Sequence, residues 1–372
     1  MTLVIRERRH QQALRLSLPQ RNPPSLSSSS SSSLSPPTPS HPHASLSISG
    51  SSSSSSSVVV SLSDLEKLAV LGHGNGGIVY KVRHKKSHCL YALKVIRSNP
   101  IIGINGIPNH VEAEILKKMD SPYVVKCHAV FENGSCSDNG VSFVMEYMGG
   151  GSLYDILKHH RTLSEDVISE VAKRVLEGLN YLHAMHVVHR DIKPSNLLVN
   201  EKGEVKIADF GVSHVVVEEK ESNGGGGGDY DLHHYGNAGT CAYMSPERID
   251  PESWRGGGGG GEKNKNNGGD DFAGDVWSVG VVVLECLLGH FPLIGAEQRP
   301  DWATLMCAIC FGEKVEMPET ASLEFKSFVL RCLEKDWRKR ATVKELLQHP
   351  FVNRGCCNFS RKRLGDYVVL QG

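Results

Sequence analysis

Residues 189 to 196 read His-Arg-Asp-Ile-Lys-Pro-Ser-Asn, and Asp209-Phe210-Gly211 follows after a stretch that reads as strand, turn and strand. Two aspartates, an asparagine and a lysine in this order supply what phosphoryl transfer needs, which is positioning and charge neutralisation rather than covalent chemistry. Asp191 can orient an attacking hydroxyl and accept its proton. Asn196 and Asp209 are hard oxygen donors of the kind that hold Mg²⁺. Lys193 can stabilise charge on the transferred group.

Upstream, Leu71 to Val79 reads Leu-Gly-His-Gly-Asn-Gly-Gly-Ile-Val, so Gly72, Gly74, Gly77 and Val79 fit G-x-G-x-x-G-x-V. A dinucleotide fold uses a similar pattern but needs a helix directly after the glycines. Here Ile78 to Val82 alternates like a strand. The glycines therefore read as a hairpin whose backbone can close over phosphates. Tyr91-Ala92-Leu93-Lys94 reads as a further strand whose lysine would neutralise the α- and β-phosphates of ATP. A carboxylate must hold that lysine, and the helical segment His110 to Met119 offers Glu112 and Glu114, which lie two apart and face different sides of a helix.

The elements that must position these groups follow from texture. Residues 1–57 are rich in Ser and Pro, almost free of acidic and aromatic residues, and read as a disordered tail. Residues 58–147 read as short β-rich runs with one helical segment, and 148–353 as mostly helical. Residues 354–372 form a C-terminal tail. Glycine tracts at 224–228 and 256–261 read as surface insertions. Hydrophobic residues make up 39% of the 372, enough for a substantial core, and formal net charge is zero, so no global field favours nucleic acid or a membrane surface. No apolar run approaches a membrane span. The 10 Cys are scattered without metal-type spacing, which suits reduced thiols and a location in the cytoplasm or the nucleus.

Taken together, the chain from about Asp64 to Phe351 resembles eukaryotic protein kinases. Within them it resembles the plant mitogen-activated protein kinase kinases of the short-tailed subgroup. The segments that carry the resemblance include GNGGIVYKVRHK, VMEYMGGGSL, HRDIKPSNLL, KIADFGVS, GTCAYMSPER and RPDWATLMCAICFGE. The resemblance implies an α+β, bilobal kinase fold with a β-rich N-lobe and a helical C-lobe. It implies Mg²⁺ and ATP, with Met145 behind the adenine and Glu146 and Met148 as backbone contacts of the hinge. It selects Glu112, counted back from Ser121-Pro122-Tyr123, as the partner of Lys94. It pairs Glu247 with Arg340, and makes Asp275 to Gly280 part of a buried central helix. It also implies dual specificity toward a Thr-x-Tyr loop in a MAP kinase substrate, and an upstream MAP kinase kinase kinase.

Two regions need separate reading. Relatives carry hydroxyl residues a fixed distance before Gly239-Thr240, where this chain has Gly236 and Tyr230, with Ser222, Asp229 and Asp231 nearby. Regulation is then lost, moved to Ser222, or partly mimicked by the two aspartates. In the tail, Arg6, Arg8 and Arg9 precede Leu14, Leu16 and Leu18, so residues 6–18 match a docking peptide for a partner kinase. The competing readings are a solvated basic tail and a targeting peptide.

Overall fold

The computed structural model describes residues 61–74, 77–97, 109–132, 140–215, 241–251, 253, 268–294, 301–312, 315–353 and 363–368. Three strands open it: β1 (Leu65–Gly74), β2 (Gly77–His84) and β3 (Leu90–Arg97). Helix α1 (Asn109–Lys118) follows, one residue earlier than the sequence suggests at each end. Strands β4 (Cys127–Glu132) and β5 (Gly140–Glu146) complete an antiparallel sheet of order β1-β2-β3-β5-β4. Register places Val79 of β2 opposite Lys94 of β3, and Lys94 opposite Phe143 of β5. Directly opposed residues share a face of a sheet. Val79, Lys94 and Phe143 thus lie on one face, as do Ala92 and its partner Met145.

The glycines at the first hairpin are not interchangeable. Gly74 faces Gly77 across the β1–β2 end. A Cβ on Gly77 would stand 2.6 Å from the Val95 carbonyl oxygen, so a side chain there would push β2 off β3. A Cβ on Gly72 would meet nothing within 4 Å. Neighbouring protein atoms therefore do not require glycine at 72, while an approaching ligand backbone contact would.

The remaining described elements are mainly helical: α2 (Leu153–His160), α3 (Glu165–Ala184), α4 (Pro246–Ile249), α5 (Gly268–Leu288), α6 (Trp302–Met306), α7 (Leu323–Cys332) and α8 (Val343–Leu347). Helix α3 starts with Glu165 and Asp166, which suit the positive end of a helix, and buries Val167, Val171, Val175 and Leu182 along one stripe. Helix α5 is apolar on every side between Val276 and Leu284, and is accordingly the buried centre of this region. Short pairs β6 (Val187–Val188) with β9 (His214–Val215), and β7 (Leu197–Val199) with β8 (Val205–Ile207), fold the segments around Asp191 and Asp209 back on each other. Main-chain bonds from Val125 N–H to Ile207 and from Ile207 N–H to Tyr123, both 2.9 Å, fasten β8 to the connection between α1 and β4. Among the described residues, no helix is long and apolar enough to cross a membrane.

Candidate active site

Five of the sequence-selected side chains make direct contacts in two groups, Asp191 with Asn196 and Lys193, and Lys94 with Asp209. Asp191 is buried, and its carboxylate Oδ2 accepts from Asn196 Nδ2 at 2.9 Å and lies 2.9 Å from Lys193 Nζ. Asn196 Nδ2 also donates to the Asp191 carbonyl at 2.9 Å. With both amide bonds spent on Asp191, the Asn196 Oδ1 is the oxygen left to face a cation. Local spacing explains this: a short 3-10 turn at Pro194–Asn196 brings residue 196 back over residue 191.

Asp209 arrives by a longer route. Strands β7 and β8 reverse the chain, and the Ala208 N–H donates to the Asn196 carbonyl at 2.9 Å. Asp209 then takes a left-handed backbone, φ 67°, and its Oδ1 lies 2.9 Å from Lys94 Nζ. Burial pushes the Asp209 carboxyl up, but the neighbouring Lys94 ammonium and its hydrogen bond, with Lys193 further off, outweigh that and hold it below the usual range. An ionised Asp209 together with the Asn196 Oδ1 offers a hard, oxygen-only donor set. It fits a cation such as Mg²⁺ and suits softer metals poorly. Phe210 is buried in the core, with its ring 5.1 Å from that of His189.

The catalytic-loop backbone is held by residues that local sequence does not reveal. The Asp275 carboxylate accepts from the His189 N–H at 2.9 Å, the Arg190 N–H at 2.8 Å and His183 Nε2 at 2.9 Å. Burial pushes Asp275 up, and these partners, His183 first, more than reverse it. Arg190 has a left-handed φ of 67°, and the bond from its N–H helps to hold that conformation. Arg248 Nη1 donates to the Arg190 carbonyl at 2.9 Å. His189 Nε2 lies 3.1 Å from the Ala208 carbonyl, and its Nδ1 accepts from the Asp191 N–H at 3.3 Å. That pair of bonds defines one tautomer, with the proton on Nε2. Burial lowers the His189 pKa despite the nearby Asp275 and Asp191, so the ring is neutral. The available signal for Asp275 is its position as a lone carboxylate opening the uncharged run Val276 to Leu284. A charge buried at such a place requires partners.

We expect Asp275→Asn to lower kcat by about tenfold or more, because an amide NH₂ would confront the N–H groups of the loop and leave donors unpaired, at about 1–3 kcal/mol. Steady-state rates with a thermal scan would test it, and an unchanged kcat would remove Asp275 from this role.

The nucleotide side of the cleft is as follows. Gly72 lies opposite Val79 of β2, which in turn lies opposite Lys94 of β3, and Gly77 is two positions before Val79. Met145 is half-buried in β5, and Met148 is buried just beyond it. The Glu146 N–H donates to the Lys126 carbonyl at 2.9 Å, so an adenine contact through its backbone has to use the carbonyl. Its carboxylate takes Lys206 Nζ at 2.7 and 2.8 Å. Glu112 lies on α1, but its side chain, like that of Glu114, falls outside the described residues. So do the activation-segment positions 216–240 and the tail positions 6–18. Glu247 and Arg340 meet in a buried bidentate pair at 2.6 and 2.9 Å.

A two-lobed arrangement of sheet over helices, with Lys94 and Asp209 joined across it and Asp191 and Asn196 beneath, defines a protein kinase. Comparison with known proteins agrees: the protein kinase domain family matches residues 65–352. The chain is 51% identical over 352 residues to mitogen-activated protein kinase kinase 10 of Arabidopsis thaliana, covering 95% of this chain and 99% of the relative. It is 50% identical to mitogen-activated protein kinase kinase 9 of the same plant over 79% of this chain and 86% of the relative. For mitogen-activated protein kinase kinase 7 the identity is 45% over the same shares. The chain belongs to the protein kinase family, in its mitogen-activated protein kinase kinase branch. Members of this family use ATP and a divalent metal.

Proposed function

We propose that this kinase is a dual-specificity enzyme that transfers the γ-phosphoryl group of Mg·ATP to both the Thr and the Tyr of a MAP kinase activation loop. The observation that carries the reading is the cluster of Lys193 with buried Asp191 and Asn196, set against the Lys94–Asp209 pair, in a chain 51% identical to a plant protein named mitogen-activated protein kinase kinase 10. Mg·ATP supplies the transferable phosphoryl group and the positive charge that screens it. Asp191, fixed by Asn196, orients the substrate hydroxyl and accepts its proton. Lys193 sits 2.9 Å from that carboxylate and neutralises charge on the moving group. Lys94 steadies the α- and β-phosphates, with Glu112 as its support. Asn196 and Asp209 hold Mg²⁺. The Gly72–Gly77 hairpin covers the phosphates, and Val79 and Met145 enclose the base, with Glu146 and Met148 at the hinge.

The tail at 6–18 supplies the docking contact, its arginines meeting acidic groups and its leucines a groove of the partner. Because Gly236 lacks a hydroxyl, activity depends little on an upstream MAP kinase kinase kinase. We assign the protein to the cytoplasm or the nucleus.

The test is incubation of phosphatase-treated protein with ATP, Mg²⁺ and catalytically dead MAP kinases, followed by phosphosite mapping. Phosphate on both Thr and Tyr of the partner loop is expected, at a rate that phosphatase treatment barely alters. Activity on a generic protein with none on that loop would replace this reading with a kinase of other substrates. A large loss on dephosphorylation, mapped to Ser222, would restore an upstream switch.

A further inference from the structure

Residues 307 to 310 read Cys-Ala-Ile-Cys, a C-x-x-C run. They occupy a π-helical turn, Cys307–Phe311, directly after α6. The turn is closed by the Gly312 N–H donating to the Cys307 carbonyl at 2.8 Å. Such wide turns are rare and occur mostly as single turns within α-helices. The two thiols sit in opposite surroundings. Cys307 is exposed and Cys310 is buried. Cys310 lies in an apolar cluster with Trp277, Val281, Leu305 and Ile309. Its Sγ donates to the Pro246 carbonyl at 4.0 Å, at the first residue of α4. Lys335 Nζ donates to the Cys310 carbonyl at 3.3 Å and also to the Gly312 carbonyl. The turn is thus tied to α4, whose Glu247 joins Arg340. Among the described residues, no group of three or more His, Cys, Asp or Glu could hold a metal ion.

We propose that Cys307 and Cys310 are a peroxide-sensitive dithiol whose closure to a disulfide distorts this turn and loosens its hold on the start of α4. Cys307, exposed, meets the oxidant first. Its thiolate attacks one oxygen of hydrogen peroxide, an S–O bond forms as the O–O bond breaks, and the departing hydroxide takes up a proton as water. The Cys310 sulfur then attacks the sulfenic sulfur. The S–S bond forms, the S–O bond breaks, and the second hydroxide leaves with the Cys310 proton as water. Two thiols lose two electrons in all, and one peroxide becomes two waters. Burial pushes the Cys310 thiol up and keeps it from the oxidant, so the first step falls to the exposed Cys307. A dithiol reductant reverses the change by exchange.

The coupling is geometric. Cys307 is exposed and Cys310 is buried, while a disulfide needs their Cβ atoms roughly 3.8 Å apart. Bringing them together forces the turn to rewind. It also removes the S–H that Cys310 offers to Pro246. The proposal needs kinase activity alone and is independent of which protein is phosphorylated.

The test treats the full-length protein with hydrogen peroxide after removal of reductant, and reads both a non-reducing peptide map and phosphorylation of a generic protein substrate. The expected map shows a Cys307–Cys310 cross-link. Activity is expected to fall roughly tenfold, the scale on which small misplacements of positioning elements act, and to recover with dithiothreitol. Cys307→Ser, a change at an exposed site, keeps its basal activity and retains it under peroxide. Three results would each overturn the proposal: both thiols still alkylatable after peroxide, a cross-link without loss of activity, or a Cys307→Ser variant inactivated as fully as the wild type.

Discussion

Lys94→Arg and Asp209→Ala are each expected to cut phosphoryl transfer by roughly a thousandfold or more, the scale on which preorganised charges act in such sites, while the protein stays folded. Lys94 is enclosed, its side chain 6% exposed, between Val79 and Phe143 in register and with its ammonium 2.9 Å from Asp209. Arginine keeps the charge but spreads it over a planar fork too broad for a slot shaped around a point charge. Asp209→Ala acts differently. It deletes a carboxylate that is ionised where it stands, and with it one of the two oxygen donors proposed to hold Mg²⁺. Rates with a generic substrate, set beside thermal scans of each variant, separate lost chemistry from lost fold. Wild-type turnover in either variant would remove that residue from the machinery.

The largest expected effect on stability lies away from the chemistry. Arg340 is wholly enclosed, at 0% exposure, and Glu247 nearly so at 3%. Besides the two bonds to Glu247, Arg340 donates to the carbonyls of Glu334 and Ala273 at 2.8 and 2.9 Å, and stacks 5.2 Å from the centre of the Trp277 ring. Glu247→Ala leaves the guanidinium charge in the interior without its counter-ion, at a cost of about 3–5 kcal/mol. For a region of this size that corresponds to a melting temperature lowered on the order of 10 °C. Replacing both partners by apolar residues of similar volume should cost less than the single change, because no charge is then stranded. Thermal or denaturant unfolding of the single and double variants tests this, and a single variant within about 1 kcal/mol of wild type would contradict it.

Much of the site could be read along the chain because it is local. Asp191, Lys193 and Asn196 lie within one turn, so their spacing alone brings them together. The glycine hairpin was legible from the strand alternation on its C-terminal side, and β3 from its own run of residues. Helix α1 was placed to within one residue at each end. The partner of Lys94 on that helix was narrowed to Glu112 by resemblance, and both candidate side chains lie outside the described residues. The scattered appearance of the cysteines concealed the Cys307 and Cys310 pair, which matters because one thiol is exposed and the other is not.

By itself, the sequence determined the protein kinase class and the local contacts of Asp191, Lys193 and Asn196, since these residues sit in one short run that a tight turn folds together. Tertiary structure decided how distant groups meet. Lys94 and Asp209 are 115 positions apart and form an ion pair because the sheet register and the β7–β8 reversal bring them to the same side of the cleft. Asp275, 85 or 86 positions beyond the backbone N–H groups it holds, has no local partner at all. Its role exists because helix α5 is buried, and a carboxylate taken out of water must find donors wherever the fold delivers them.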